Sequence, residues 1–249
     1  MRIMWFLILV LVLSKCDNPN SPDCFQSAGS IMEQEIEVAP FEKIIVRERI
    51  TLKIKQGATQ KVMVETGEHL INDISVTIVN NELIIENTNG CNLVRDYQLT
   101  TVTVTVPELK EIRSSTGFDI RSIGVLEFDE LTLFSENFQS DFNSTGDFYL
   151  DLDVNNLRLV SNNLSNFYLS GQVENAGLEW YSGDGQLFAQ ELEIQNAQIF
   201  HRGSNNWQLD VKQNIAGSIV GYGDVILESA PASINVEETW EGRLLIKNQ

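Results

Sequence analysis

The chain has 249 residues, 43% hydrophobic and 21% charged, and its 17 Lys and Arg against 35 Asp and Glu give a formal net charge of −18. That composition excludes a disordered tail and a multispan membrane protein, and a charge of this sign repels a phosphate backbone, so nucleic acid is not an expected partner. Two His and three Cys leave little for a His/Cys metal centre or a thiol–imidazole nucleophile pair, and no metal and no cofactor is expected.

Met1-Arg2 and the apolar run at 3–13 (IMWFLILVLVL) have the form of a signal peptide, and the run is too short to span a bilayer as a helix. It ends in Leu13-Ser14-Lys15-Cys16, which resembles a bacterial lipobox, although Lys15 stands where that pattern usually has Gly, Ala or Ser. Residues 1–15 are therefore read as a signal peptide, Cys16 as the lipidated mature N-terminus and 16–23 as a lipidated flexible tether, with residues 24–249 as the folded body. The competing reading is an ordinary secretory signal that leaves Cys16 as a spare or disulfide thiol. Cleavage would also remove Arg2 and Lys15, so a covalent lipid rather than a basic patch would hold the chain to the membrane. Cys24 and Cys91 then remain as an even pair, read as a disulfide in an exported protein, against the alternative of two unrelated buried thiols.

From residue 36 onward no window carries a helical apolar period over three turns. Short alternating or β-branched runs take its place: Ile50–Lys55, Lys61–Val64, Ile74–Ile78, Leu83–Ile85 and Thr101–Val106, separated by polar turns such as VNNE and ended by Pro107. The second half repeats a strand–turn–strand unit: LKEIRSSTGFDI, LTLFSENFQSDF, LRLVSNNLSNFYL, LEWYSGDGQLF, QIFHRGSNNWQL and SIVGYGDVIL. With Ser114, Ser135, Ser161, Ser182, Arg202 and Gly221 as equivalent positions, the intervals are 21, 26, 21, 20 and 19 residues. A period near 20 in an all-strand region predicts an all-β, mostly parallel, single-stranded β-helix (β-solenoid) from about residue 110, preceded by an irregular strand-rich N-terminal part. Two sandwich domains are the rival reading. FNSTGDFYLDLD absorbs the long interval, Leu133, Leu159, Ile199 and Ile219 point inward, Gly117, Gly146, Gly183, Gly185, Gly203 and Gly223 supply turns at φ > 0, and Asn and Asp stack in ladders from coil to coil.

The stretches DCFQSAGSI (23–31), APFEKIIV (39–46), ITLKIKQGATQKVMVETGEHLI (50–71), NELIIENTNGCNLVRDY (81–97), VTVTVPELKEIRSSTG (102–117), FHRGSNNW (200–207) and GYGDV (221–225) resemble, in order and spacing, the family called putative auto-transporter adhesin, head GIN domain. The resemblance implies an exported or lipid-anchored protein of Gram-negative bacteria in which 24–249 forms a GIN-type β-helical adhesin head. The family's Gly-Ser-Gly-Asp turns survive here only in degenerate form at 144–147, 182–185 and 221–224.

Two clusters bear on chemistry. Asp141, Asp147, Asp151 and Asp153 would suit Ca²⁺ or the carboxylate pair of a polysaccharide lyase or hydrolase, but the cluster reads better as the solvated face of an insertion, Asp151 and Asp153 alternating with Leu150, Leu152 and Val154 on the wet side of a strand. His201, Arg202, Asn205 and Trp207 form a possible ligand patch for a sugar or carboxylate, weighed against a structural corner. No GxSxG elbow is present, and the Gly triplets precede no helix. The expectation is a non-catalytic cell-envelope lipoprotein, at the outer membrane or cell surface, whose solenoid serves adhesion to a glycan or an envelope protein. The alternative is a carbohydrate-active β-helix enzyme.

Overall fold

The computed structural model describes residues 23–136 and 143–247. The leader, Cys16 and Asp141 lie outside the described residues. Sixteen strands follow one another: β1 (Ile31–Ile36), β2 (Lys43–Arg47), β3 (Thr51–Gln56), β4 (Lys61–Gly67), β5 (Ile74–Val79), β6 (Glu82–Asn87), β7 (Thr101–Val106), β8 (Glu111–Ser115), β9 (Ile120–Ser135), β10 (Phe148–Ser161), β11 (Phe167–Trp180), β12 (Leu187–His201), β13 (Trp207–Ile219), β14 (Val225–Leu227), β15 (Ser233–Glu238) and β16 (Leu244–Ile246). The alternating runs read from the sequence at 50–106 are β3 to β7.

From β8 onward the pairing is parallel throughout, each coil lying on the one before it. The sequence units of three or four residues are in fact the two ends of strands 13 to 16 residues long. Each long strand turns a corner where two successive side chains face outward, such as Asn155-Asn156 and Glu174-Asn175, and the inward parity switches there. Asn156, Asn175, Asn196 and Asn214 stack at that corner, each amide donating to the preceding Asn side chain at 3.3, 3.3 and 2.7 Å. This is the expected ladder. Leu133, Leu159, Ile199 and Ile219 are all buried.

The pairing revises the repeat register. Ser114, Ser135 and Ser161 are equivalent as expected, but the column continues through Trp180, His201, Ile219 and Glu238, not Ser182, Arg202 and Gly221. Aligning polar turns misplaced it, because turn lengths vary while the ladder keeps the strands in step. The long interval also moves: FYLDLD is regular β10 strand, and the extra residues precede Phe148.

The parallel stack extends further toward the N-terminus than the sequence suggested. β2 pairs with β6 on one side and β8 on the other, and β3 likewise lies between β7 and β9, all parallel. The first coil in space is therefore β6–β7, the second β2–β3 and the third β8 with the start of β9. The chain enters at the second coil, drops below it and returns. Antiparallel strands close the bottom, β4 on β7 followed by β1 on β4, and β5 on β6. The β5–β6 hairpin turns through Asn80 and Asn81, both at positive φ, as its tight two-residue loop requires. Nine coils at about 4.8 Å make a rod about 38 Å long.

Only Gly183 of the six turn glycines has φ > 0 (φ 94°). Gly146, Gly185 and Gly223 answer a different demand: a Cβ there would lie 1.9 Å from the Phe118 carbonyl oxygen, 2.2 Å from that of Ser165 and 2.1 Å from that of Asn205. At these three positions successive turns stack too closely for a side chain.

Candidate functional site: an outer cleft between two bulges

Cys24 and Cys91 form a disulfide that joins the segment entering β1 to the loop between β6 and β7. Of the acidic cluster, Asp147, Asp151 and Asp153 fall among the described residues. Asp147 accepts from the Asn166 backbone N–H at 2.8 Å, Asp151 from the Ser170 hydroxyl at 3.3 Å and Asp153 from the Gln172 amide at 2.7 Å. Each carboxylate is used in tying one coil to the next. Among the described residues no group of three His, Cys, Asp or Glu is placed to hold a metal ion.

The patch of His201, Arg202, Asn205 and Trp207 does not exist as a surface. His201 and Trp207 are fully buried, their rings 4.2 Å apart in the core, while Arg202 is exposed and Asn205 donates to the Asp184 carbonyl of the neighbouring turn. From β9 to β14 the strand after a turn begins with an inward residue, and Trp207 stacks in that column below Val225 and above Leu187. Burial pushes the His201 pKa down to about 4, so the ring is neutral at physiological pH. Its Nδ1 accepts from the Gly203 N–H at 3.4 Å, and its Nε2 has no protein partner. It is a core histidine.

The residues that do gather outward come one position after those inward aromatics. Tyr149, Tyr168 and Phe188 follow Phe148, Phe167 and Leu187, so parity turns them out and the parallel register stacks them. Ring centroids are 4.6 and 4.8 Å apart with planes within 4° and 7° of parallel, and the Arg121 guanidinium covers the free face of Tyr149 at 3.9 Å. Burial and the nearby Asp147 and Asp119 raise the pKa of both tyrosines, keeping the phenols protonated. Both faces of Tyr149 and Tyr168 are covered in this way, so these rings offer edges and hydroxyls, while Phe188 has one face stacked on Tyr168.

Beside the ladder, the register slips on both sides. β9 carries extra residues between Arg121 and Val125 relative to β10, including Gly124 at φ 77°, and β12 carries extra residues after Phe188 relative to both β11 and β13. Bulges of this kind lift a strand and re-aim its side chains. Between them lies an open cleft of about 360 Å³, with Asp151 and Ser170 of β10 and β11 on its floor, Ser122 on one bulge and Gln190 and Glu191 on the other. The Gln190 side-chain oxygen is buried with no partner. The cleft therefore combines aromatic edges, two phenols, the carboxylates of Asp151 and Glu191 and the Gln190 amide. The sequence carried a signal for it that strand reading alone passes over, the recurrence FYL, FYL and LFA at 148, 167 and 187.

The fold is shared with solved structures at identities too low to carry more than the fold. A putative adhesin from Bacteroides fragilis NCTC 9343 superposes with TM-score 0.79 at 16% identity, over 88% of this chain and 99% of that one. A putative adhesin from Parabacteroides merdae ATCC 43184 gives 0.60 at 17% identity over 88% and 96%, and a putative lipid binding protein from Parabacteroides distasonis ATCC 8503 gives 0.62 at 13% over 87% and 97%. No curated protein matches significantly. The profile of the putative auto-transporter adhesin, head GIN domain family matches residues 40–231, most of the described solenoid, and the chain belongs to that family.

Proposed function

We propose that this protein is a non-catalytic lipoprotein of the cell envelope, exported by residues 1–15, tethered through Cys16 at the outer membrane or cell surface, and engaged in adhesion through the flank of its solenoid. The observation that carries the reading is the cleft between the two bulges, where Gln190 and Glu191 stand beside the edges of Tyr149, Tyr168 and Phe188. Aromatic edges with adjacent amide and carboxylate groups suit the mixed apolar and hydroxylated surface of a neutral glycan. The net charge of −18 works against acidic polymers. Family membership supports adhesion. The alternative, a carbohydrate-active enzyme, would need an acid and a base carboxylate, and Asp147, Asp151 and Asp153 each already accept a hydrogen bond from the next coil.

The test is binding of the mature protein to a panel of neutral and acidic oligosaccharides, with reducing ends and unsaturated products followed in the same samples. Binding of a neutral glycan that falls at least tenfold in Gln190→Ala and Glu191→Ala, at unchanged melting temperature and without product formation, is the expected result. Turnover lost in Asp151→Asn would establish the enzyme instead. Binding that is indifferent to both cleft substitutions would move the contact surface elsewhere.

A further inference from the structure

Large apolar side chains are unevenly spread over the surface. Fourteen are exposed among the described residues, and five of these, Phe25, Ile31, Leu93, Val94 and Tyr97, fall in two short segments, 23–31 and 91–99. Scattered exposed apolar residues are ordinary, whereas a local concentration marks a contact surface. Leu93 and Tyr97 are 69% and 73% exposed, the highest values among the fourteen.

This exposure is imposed by the fold. The Cys24–Cys91 disulfide joins the two segments, and the Leu93 N–H donates to the Cys24 carbonyl at 3.1 Å. The Arg95 guanidinium fastens the same knot, donating to the carbonyls of Asp23, Gln26 and Cys91 at 3.1, 3.1 and 2.8 Å and to the Asn89 side chain at 2.7 Å. The loop, clamped covalently and by five charge-assisted bonds from Arg95, the fifth to the Gln26 side chain, holds these apolar side chains outward. Ile31 and Val94 line a common cleft of about 680 Å³, so the two segments present one continuous surface.

Its place in the chain identifies the occupant. Cys16 precedes Asp23 by seven residues, which span at most about 25 Å when fully extended. A lipid on Cys16 would keep the knot within that distance of the bilayer, while the last coil lies at the other end of a rod about 38 Å long. Tyr97 and Phe25 are amphipathic or aromatic side chains of the kind that settle at the membrane–water interface. Arg95, and Arg49 beside it on the Asn89 carbonyl, are committed to protein oxygens, so the surface makes no demand for anionic head groups.

We infer that this disulfide-clamped knot is a lipid-facing foot, which seats the base of the solenoid on the bilayer that holds Cys16; the inference rests on the lipoprotein reading above. Of the tryptophans in the mature chain, Trp180 and Trp207 are buried and Trp240 lies near the tip, so a new tryptophan in the foot is readable by quenching. The experiment reconstitutes the full mature protein, with palmitate-analogue labelling to verify acylation, in phosphatidylcholine vesicles containing brominated lipid. Leu93→Trp, in the foot, is compared with Ile234→Trp, at the tip. At least twofold greater added quenching for Leu93→Trp supports the foot. Equal quenching in acylated protein overturns the foot and leaves the anchor standing, and absence of acylation overturns both.

Discussion

The two ends of the rod are finished by different means. At the base, the first coil is covered by β4, β1 and β5 in antiparallel pairing, and the disulfide and Arg95 knot lock the chain that leads into β1. At the tip, β15 and β16 pair on one side only, with β13 and β14. The inward column Leu131, Leu157, Ala176, Ala197 and Ile215, at most 5% exposed, ends in Ile234 at 45%. The column through Trp180, His201 and Ile219, four residues further along each strand, ends in Glu238, whose carboxylate accepts from the Leu244 N–H at 2.8 Å. A charged side chain in a core position blunts the open edge against further strand addition. The base is held by contacts distant in sequence, the shaft by nearest-neighbour stacking, and the tip by half of its pairing.

The sharpest way to break this comparison is one substitution made at two heights. Leu159→Asp, in the shaft, buries an unpaired charge where a leucine filled the core, and the expected cost exceeds about 5 kcal/mol, enough to unfold an ordinary domain. Ile234→Asp at the tip leaves its carboxylate in water and should cost less than about 1 kcal/mol. Urea denaturation of both variants checks this. A folded Leu159→Asp protein, or an unfolded Ile234→Asp protein, would contradict the division into shaft and tip.

The base is tested next. The disulfide closes a separation of 67 residues, so Cys24→Ala with Cys91→Ala should lower stability by about 4 kcal/mol on the chain-entropy account. Hydrogen exchange should quicken in β1, β4 and β5 while β11 to β13 keep their protection. Uniform loss of protection along the rod would mean that base and shaft are one cooperative unit.

A third, smaller effect belongs to the shaft core. His201 is held neutral with its pKa lowered to about 4 by burial, whereas the unfolded chain protonates near 6.5. The unfolded state therefore binds more protons between these values. The associated stability is complete above pH 6.5 and is lost as pH falls toward 4, by about 3 kcal/mol. Carboxylates titrate in the same range, so the measurement is the difference between wild type and His201→Gln. Between pH 7 and 4.5 wild type should lose about 2 to 3 kcal/mol more than the variant, and equal losses would place the ring in contact with water.

How much of this was legible follows from where each signal resides. The solenoid, the inward Leu133 and Leu159 and the Asn ladder rest on period and parity, which are local properties of the sequence. The stacking of β6–β7 beneath β2–β3 is not, because only tertiary pairing decides which strand lies on which. His201 and Trp207 read as a surface patch because a polar turn separates them. The ladder register, set by Leu187 and Val225, turns Trp207 inward, and the core closes around the imidazole. The cleft depends on two bulges, and a residue inserted into one strand leaves no mark unless the partner's register is known.

The smallest expected effect tests whether the outer ladders stabilise each coil equally. Asn175 both donates to Asn156 and accepts from Asn196, at 3.3 Å in each case, whereas Asn214 ends the series with one bond at 2.7 Å to Asn196, above which Ser233 occupies the next coil. These amides are exposed at the corner, so water replaces much of what alanine removes, and a hydrogen bond of this kind contributes about 0.5 to 1 kcal/mol. Asn175→Ala should then cost about 1 kcal/mol, and Asn214→Ala about half as much, read as shifts in the urea midpoint at constant slope. If the shaft position were no more sensitive than the terminal one, the corner ladder would be a consequence of coil stacking rather than a contributor to it, and the stability of the shaft would rest on its apolar columns alone.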